Sequence, residues 1–291
     1  MTAAIRMGHI TLETPDIERQ IEYFTSIVGL FVAERGGGRA FLTSRVGQLA
    51  VELNAGEHAR CKSVSLEVAP GLSSSEIVRS LDLKGFRAAP ATDRFPGAAE
   101  AVRIDDNNGV AVDLFSGGAF LTPNRPTTGV GPVKLGHVAM TVPDPKATAD
   151  FYTQSLGFRV SDWIMDFFVF QRCNPDHHTL NFVKGDHAKL AHFAFELKDF
   201  AHLQNACDIL GQNRIQLARG PLRHGPGHNV AIYSPTPDGL ILEFFIEMDR
   251  MSIEEIGYFD PKPWHRDFPQ RPKVWSRENN GTVIWGIRIP H

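Results

Sequence analysis

Two stretches of the chain carry the same order of apolar and polar positions. Residues 8–32, GHITLETPDIERQIEYFTSIVGLFV, and residues 136–160, GHVAMTVPDPKATADFYTQSLGFRV, align without a gap at an offset of 128. Each opens with a short alternating run, which predicts a strand. Each then passes through Pro-Asp into a segment with apolar residues on one helical face, Ile17, Ile21, Phe24 and Val28 in the first copy. Gly29 and Gly157 stand where a helix C′ residue belongs. The likeness continues through SVSLEV at 63–68 and HFAFEL at 192–197, with helical patterns at about 73–84 and 199–210. It ends with NGVAVDLF at 108–115 and DGLILEFF at 238–245, where Asn-Gly and Asp-Gly predict tight turns before strands.

An element pattern of strand, helix, strands and hairpin strands is thus used twice. It predicts an α+β protein of two tandem modules, at 1–121 and 133–246. The Pro-, Gly- and Thr-rich segment TPNRPTTGVGP at 122–132 reads as the linker. The tail at 247–291 has several prolines, Trp264, Trp275 and Trp285, and no repeat partner. Burying one such ring is worth about 1.5–3 kcal/mol, so the tail is expected to pack on the second module and to close its open side.

Composition narrows the function classes. The 291 residues are 42% hydrophobic and 22% charged, enough apolar material for packed cores and unlike a disordered chain. A net charge of −3 gives no reason to expect nucleic acid or an anionic membrane as partner. Cys61, Cys173 and Cys207 have neither disulfide-framework nor zinc-thiolate spacing and suit a reducing cytoplasm. No apolar run approaches the length of a membrane span, and the N-terminus lacks a signal-peptide pattern.

Seven of the twelve histidines lie between 177 and 228, which directs attention to the second half. His137, His192 and Glu243 fall at matching places of the repeat, each in an expected strand. Two neutral imidazoles and a carboxylate form the facial donor set that suits non-haem Fe(II) and leaves positions open. Mn(II) accepts the same donors. The repeat partners are His9, Ser63 and Asp113. A serine hydroxyl is a poor ligand, so the first module is expected to bind no metal.

With these residues in place, the chain resembles the type I extradiol ring-cleavage dioxygenases of the vicinal oxygen chelate superfamily. The resemblance spans nearly the whole chain and is strongest from 136 to 245. It is carried by the three candidate ligands together with NPDHHTL at 174–180 and RHGPGHNVAIYSPTPDGLILE at 223–243. It implies paired βαβββ units forming cup-shaped mixed sheets around the metal. It also implies that His178 is the acid–base histidine, with His224 and Tyr233 as the other two active-site polar residues. The expected function is cleavage of a catechol-type diol by O2 at mononuclear Fe(II), in aromatic compound degradation, by a homo-oligomer.

Taken singly, these residues also have ordinary readings. His177-His178 beside a proline fits a solvated loop, His224 and His228 fit an exposed Gly/Pro-rich loop, and Tyr233 fits a strand residue packing its ring. His187 lies at an odd spacing from His192 and is left out of the ligand set. Two other functions use the same modules: a glyoxalase-like metal-dependent isomerase or lyase, and a non-catalytic small-molecule-binding protein. The aromatic residues Trp163, Phe167, Phe168 and Phe170, with Ile164, and Tyr258, Phe259 and Trp264 of the tail, are candidates for an apolar ring pocket.

Overall fold

The computed structural model describes residues 2–91, 95–121, 128–260, 270–276 and 283–286. Linker residues 122–127 and Trp264 lie outside the described residues. Residues 4–116 form an eight-stranded mixed sheet. Its spatial order is Phe31–Gly36, Arg39–Thr43, Leu49–Ala55, Ala4–Thr14, Arg60–Val68, Ala111–Ser116, Val102–Asp105 and Ala89–Pro90. The second sheet repeats that order strand for strand: Arg159–Ile164, Phe168–Arg172, Leu180–Lys184, Lys134–Val142, Lys189–Glu196, Ile241–Ile246, Val230–Pro235 and Arg219–Arg223. In chain order each sheet is two βαβββ units. Their first strands pair antiparallel at the centre, Ala4–Thr14 with Arg60–Val68 and Lys134–Val142 with Lys189–Glu196.

Two short strands of the tail extend the second sheet at both edges. Lys273–Trp275 pairs with Arg159–Ile164, and Trp285–Gly286 with Arg219–Arg223. The hairpin of Arg250–Ile253 and Tyr258–Asp260 precedes both in sequence.

The helices begin and end where side-chain chemistry directs. Asp16, Asp144 and Asp199 accept backbone N–H groups at helix N-termini, and Ser73 with Glu76 makes a capping box. Pro145 occupies the first turn of its helix, where no donor is lost. Gly157 closes the helix at φ 73°, a conformation that costs a side-chain-bearing residue about 1–2 kcal/mol. The helix expected after Asp16 is α-helical only over Ile17–Glu22 and continues as a π-turn over Tyr23–Val28. There Thr25 Oγ1 bonds the Ile21 carbonyl at 2.8 Å and competes with the α ladder.

One apolar core runs through both modules, with Phe24 of the first facing Phe193 of the second at a ring distance of 6.2 Å. Among the described residues no helix is long and apolar enough to cross a membrane.

Candidate active site

Strand register brings three distant residues of the second module together. Ala194, at the centre of Lys189–Glu196, is flanked by His137 on one neighbouring strand and by Glu243 on the other. His192 lies two residues along from Ala194, so its side chain points to the same face. His137 Nε2 and His192 Nε2 stand 3.2 and 3.0 Å from one carboxylate oxygen, Glu243 Oε2. One donor atom from each residue lies within 4.8 Å of the others. Among the described residues this is the one such cluster of three.

The donor set fits a divalent cation. Glu243 is 1% exposed, its other oxygen accepts from Asn229 Nδ2 at 3.0 Å, and among the described residues no lysine or arginine pairs with it. A buried carboxylate without a cationic partner is costly, and an ion between it and two imidazoles removes that cost. Burial alone would raise Glu243, but the adjoining imidazoles of His137 and His192 hold it well below the usual carboxylate range. Burial lowers His137, against the pull of Glu243. Both shifts keep the triad in its ligating form, an anionic carboxylate with a neutral imidazole.

The triad opens onto a cavity of about 250 Å³. Ile164, Phe167, Phe168 and Phe170 form its apolar wall, with the rings of Phe168 and Phe170 stacked at 4.4 Å. Trp163 does not line it, and neither does any described residue of the tail. The tail packs behind the site instead: Trp275 is buried with Ile164 and Phe170, and Phe259 lies 4.9 Å from the His177 ring. The expectation that tail aromatics close the pocket is therefore corrected for the described residues. Their short strands take the sheet edges, where backbone hydrogen bonds are available.

His178, His224 and Tyr233 all line this cavity. His178 is 2% exposed, with its ring 4.4 Å from that of His137. Burial, with His137 and His177 close by, pushes it well below the ordinary histidine value. It is a neutral base here, and the solvated-loop reading does not hold. His224 Nε2 lies 2.7 Å from the Tyr233 hydroxyl. Burial and the negative charge of Glu243 push the Tyr233 phenol well above its ordinary value, so it stays protonated. His187 is exposed and outside the cavity.

Sequence reasoning missed Asn181, Arg219 and Asn229 in the cavity lining. Asn229 lies inside the quoted loop motif, but nothing in its spacing separates it from its neighbours.

In the first module His9 Nε2 is taken up by Ser65 Oγ at 3.2 Å and Glu52 Oε2 at 3.5 Å. Asp113 is held by Arg103, and Ser63 is buried without contributing to a metal-type cluster.

Comparison with known proteins agrees with this architecture. The sequence profile of the Glyoxalase/Bleomycin resistance protein/Dioxygenase superfamily matches residues 134–244. A manganese-dependent 2,3-dihydroxybiphenyl 1,2-dioxygenase of Geobacillus genomosp. 3 is 26% identical, over 84% of this chain and 86% of its own. An iron-dependent extradiol dioxygenase of Rhodococcus jostii (strain RHA1) is 24% identical, over 96% of this chain and 95% of its own. The crystal structure of a Mn(II)-bound glyoxalase from Novosphingobium aromaticivorans superposes with a TM-score of 0.84 at 22% identity, covering 100% of this chain and 96% of that one. The strand order is thus used twice, the profile of the Glyoxalase/Bleomycin resistance protein/Dioxygenase superfamily matches the second module, and the two relatives similar to this chain along most of its length are named as extradiol dioxygenases.

Proposed function

We propose that this chain is an extradiol dioxygenase that opens the ring of a catechol-type aromatic diol with O2, at one divalent ion held by His137, His192 and Glu243. One observation carries the reading. A two-histidine, one-carboxylate cluster, a neutral His178 and the hydrogen-bonded His224–Tyr233 pair all face one aromatic-walled cavity. Relatives named for iron and for manganese support Fe(II) or Mn(II) as the ion. Such an ion, when bound, offers neighbouring positions to the diol oxygens and to O2, with a route for electrons between them.

The side chains do the rest. Phe168, Phe170 and Ile164 hold the flat ring by apolar contact and keep water from it. His224 fixes the Tyr233 hydroxyl, so a protonated phenol is aimed at the substrate's oxygens. Neutral His178 takes a proton from a substrate hydroxyl and returns it as the ring opens. General acid–base help of this kind is typically worth about 100- to 10,000-fold. Free cysteines at 61, 173 and 207 suit a cytoplasmic protein. A homo-oligomer is part of the reading and is checked by sedimentation.

The test is oxygen uptake. The chain is loaded with Fe(II) or Mn(II) without air and given a panel of mono- and bicyclic catechols. One O2 consumed per diol, with a yellow semialdehyde product under air and none under nitrogen, is the expected result. No uptake with any diol overturns it. The competing reading, a glyoxalase-type isomerase or lyase, is favoured by the likeness in fold to the Novosphingobium glyoxalase. It predicts turnover that does not depend on O2. Against it stands the origin of all three donors in a single module.

A further inference from the structure

A second line of polar groups runs behind the cavity, and the function above leaves it unused. His178 turns Nδ1 away from the cavity toward Nδ1 of His177, at 3.0 Å. His177 Nε2 lies 3.1 Å from Asp162 Oδ2. That same oxygen accepts the indole N–H of Trp275 at 2.7 Å, and Asp162 Oδ1 accepts the Lys273 backbone N–H at 2.9 Å. Asp162, His177, His178 and Trp275 are each no more than 3% exposed. A carboxylate taking two N–H donors in this setting is an acceptor, so His177 carries a proton on Nε2.

The rest follows by counting protons. Two Nδ1 atoms at hydrogen-bond distance share one proton. With His177 neutral, its Nδ1 is bare and the proton sits on Nδ1 of His178. That leaves Nε2 of His178 unprotonated toward the cavity, the form a base requires. We propose that Asp162 and His177 set the tautomer of His178: the carboxylate keeps the proton of His177 on Nε2, so the bare Nδ1 of His177 accepts the Nδ1 proton of His178 and Nε2 of His178 is left as the acceptor. Asp162 and His177 are positioning residues in this scheme, and Trp275 links the tail to them.

This inference rests on the extradiol reading, but its principal test does not need ring cleavage. The full chain, labelled with ¹⁵N-histidine and loaded with diamagnetic Zn(II), is examined by NMR of the ring nitrogens. His178 is expected to carry its proton on Nδ1 and His177 on Nε2. Asp162→Asn should leave His178 as a mixture of tautomers. In the Fe(II)-loaded chain Asp162→Asn should lower kcat about 10-fold and His177→Gln about 100-fold, with metal content and catechol KM unchanged. Trp275→Phe keeps the packed ring and removes one donor to Asp162, so it serves if the other variants fold poorly; it should shift the His177 signals. A wild-type His178 protonated on Nε2 with His177 neutral overturns the proposal. So do variants that fold and keep both the wild-type tautomer and kcat. Absence of oxygen uptake by the unaltered chain sinks the extradiol reading and leaves the tautomer result standing on its own.

Discussion

Tyr233 and Arg103 occupy the same position of the repeat, and the exchange separates the two modules. Tyr233 pairs in register with Glu243, and Arg103 with Asp113. Arg103 closes on its carboxylate with two hydrogen bonds, at 2.8 and 2.9 Å, and satisfies its charge. Tyrosine leaves the charge of Glu243 to be met by something else. The same exchange occurs beside it. Glu52 stands opposite Thr11 and is bound by Arg39 at 2.6 Å, whereas the corresponding Asn181 stands opposite Ala139 and is uncharged. The first module answers its carboxylates with arginines, and the second leaves room for a cation.

Replacing His9 or Asp113 by Ala should therefore leave metal content at one ion per chain. Ser63→His alone should add no second ion, because Arg103 still holds Asp113. Elemental analysis decides this, and loss of metal from His9→Ala would mean that the wrong module has been assigned.

In the second module His137→Ala, His192→Ala and Glu243→Ala should each abolish metal retention and turnover. Each removes one of three donors around a single point. His178→Ala should instead retain the ion and bind catechol while kcat falls about 100- to 10,000-fold. Full metal occupancy in any of the three ligand variants contradicts the ligand assignment.

Glu52 makes a prediction about acid stability. Burial works to raise its carboxyl, but the hydrogen bond and charge of His9 and of Arg39 outweigh that and bring it from 4.5 to about 2. A carboxylate depressed on folding stabilises the protein above its unfolded value and loses that contribution as pH falls toward its folded value. The window is thus pH 4.5 down to about 2. The contribution at neutral pH is on the order of 3 kcal/mol. Glu52→Gln should be less stable to denaturant than wild type at pH 7, and the gap should narrow at pH 3. An equal gap at both values would rule out this origin.

Much of the fold was legible because it is written twice. Pro-Asp before the first helix of each copy, Gly29 and Gly157 after it, and the alternating runs fix element order in both copies, and offsets that drift only from 128 to 130 place His137, His192 and Glu243 on neighbouring strands. What could not be read had no copy to compare with. The tail strands Lys273–Trp275 and Trp285–Gly286 are too short to show a period. Asp162 sits in an ordinary strand and matters through His177 and Trp275, more than a hundred residues further on in the latter case. Arg219 and Asn229 reach the cavity through the register of strands and a loop, not through any spacing peculiar to them.

Gly227 tests how tightly the histidine pair must be held. Its φ is +73°, and a Cβ built there would stand 2.9 Å from His177 Nδ1, 3.2 Å from His177 Cγ and 3.3 Å from His178 Cε1. Gly227→Ala therefore adds two effects, the backbone strain of a left-handed alanine, about 1–2 kcal/mol, and a clash with both rings. Gly239 separates them, since its φ is +80° but nothing lies within 4 Å of the added carbon. Gly239→Ala should lose stability and keep kcat. Gly227→Ala should lose a similar amount of stability through strain and, in addition, lower kcat about 100-fold with metal content unchanged, because misplacing a catalytic group by a fraction of its bonding distance forfeits orientation. Equal kcat in the two variants would show that the rings shift aside without consequence, and that the Nδ1–Nδ1 contact is not held for catalysis.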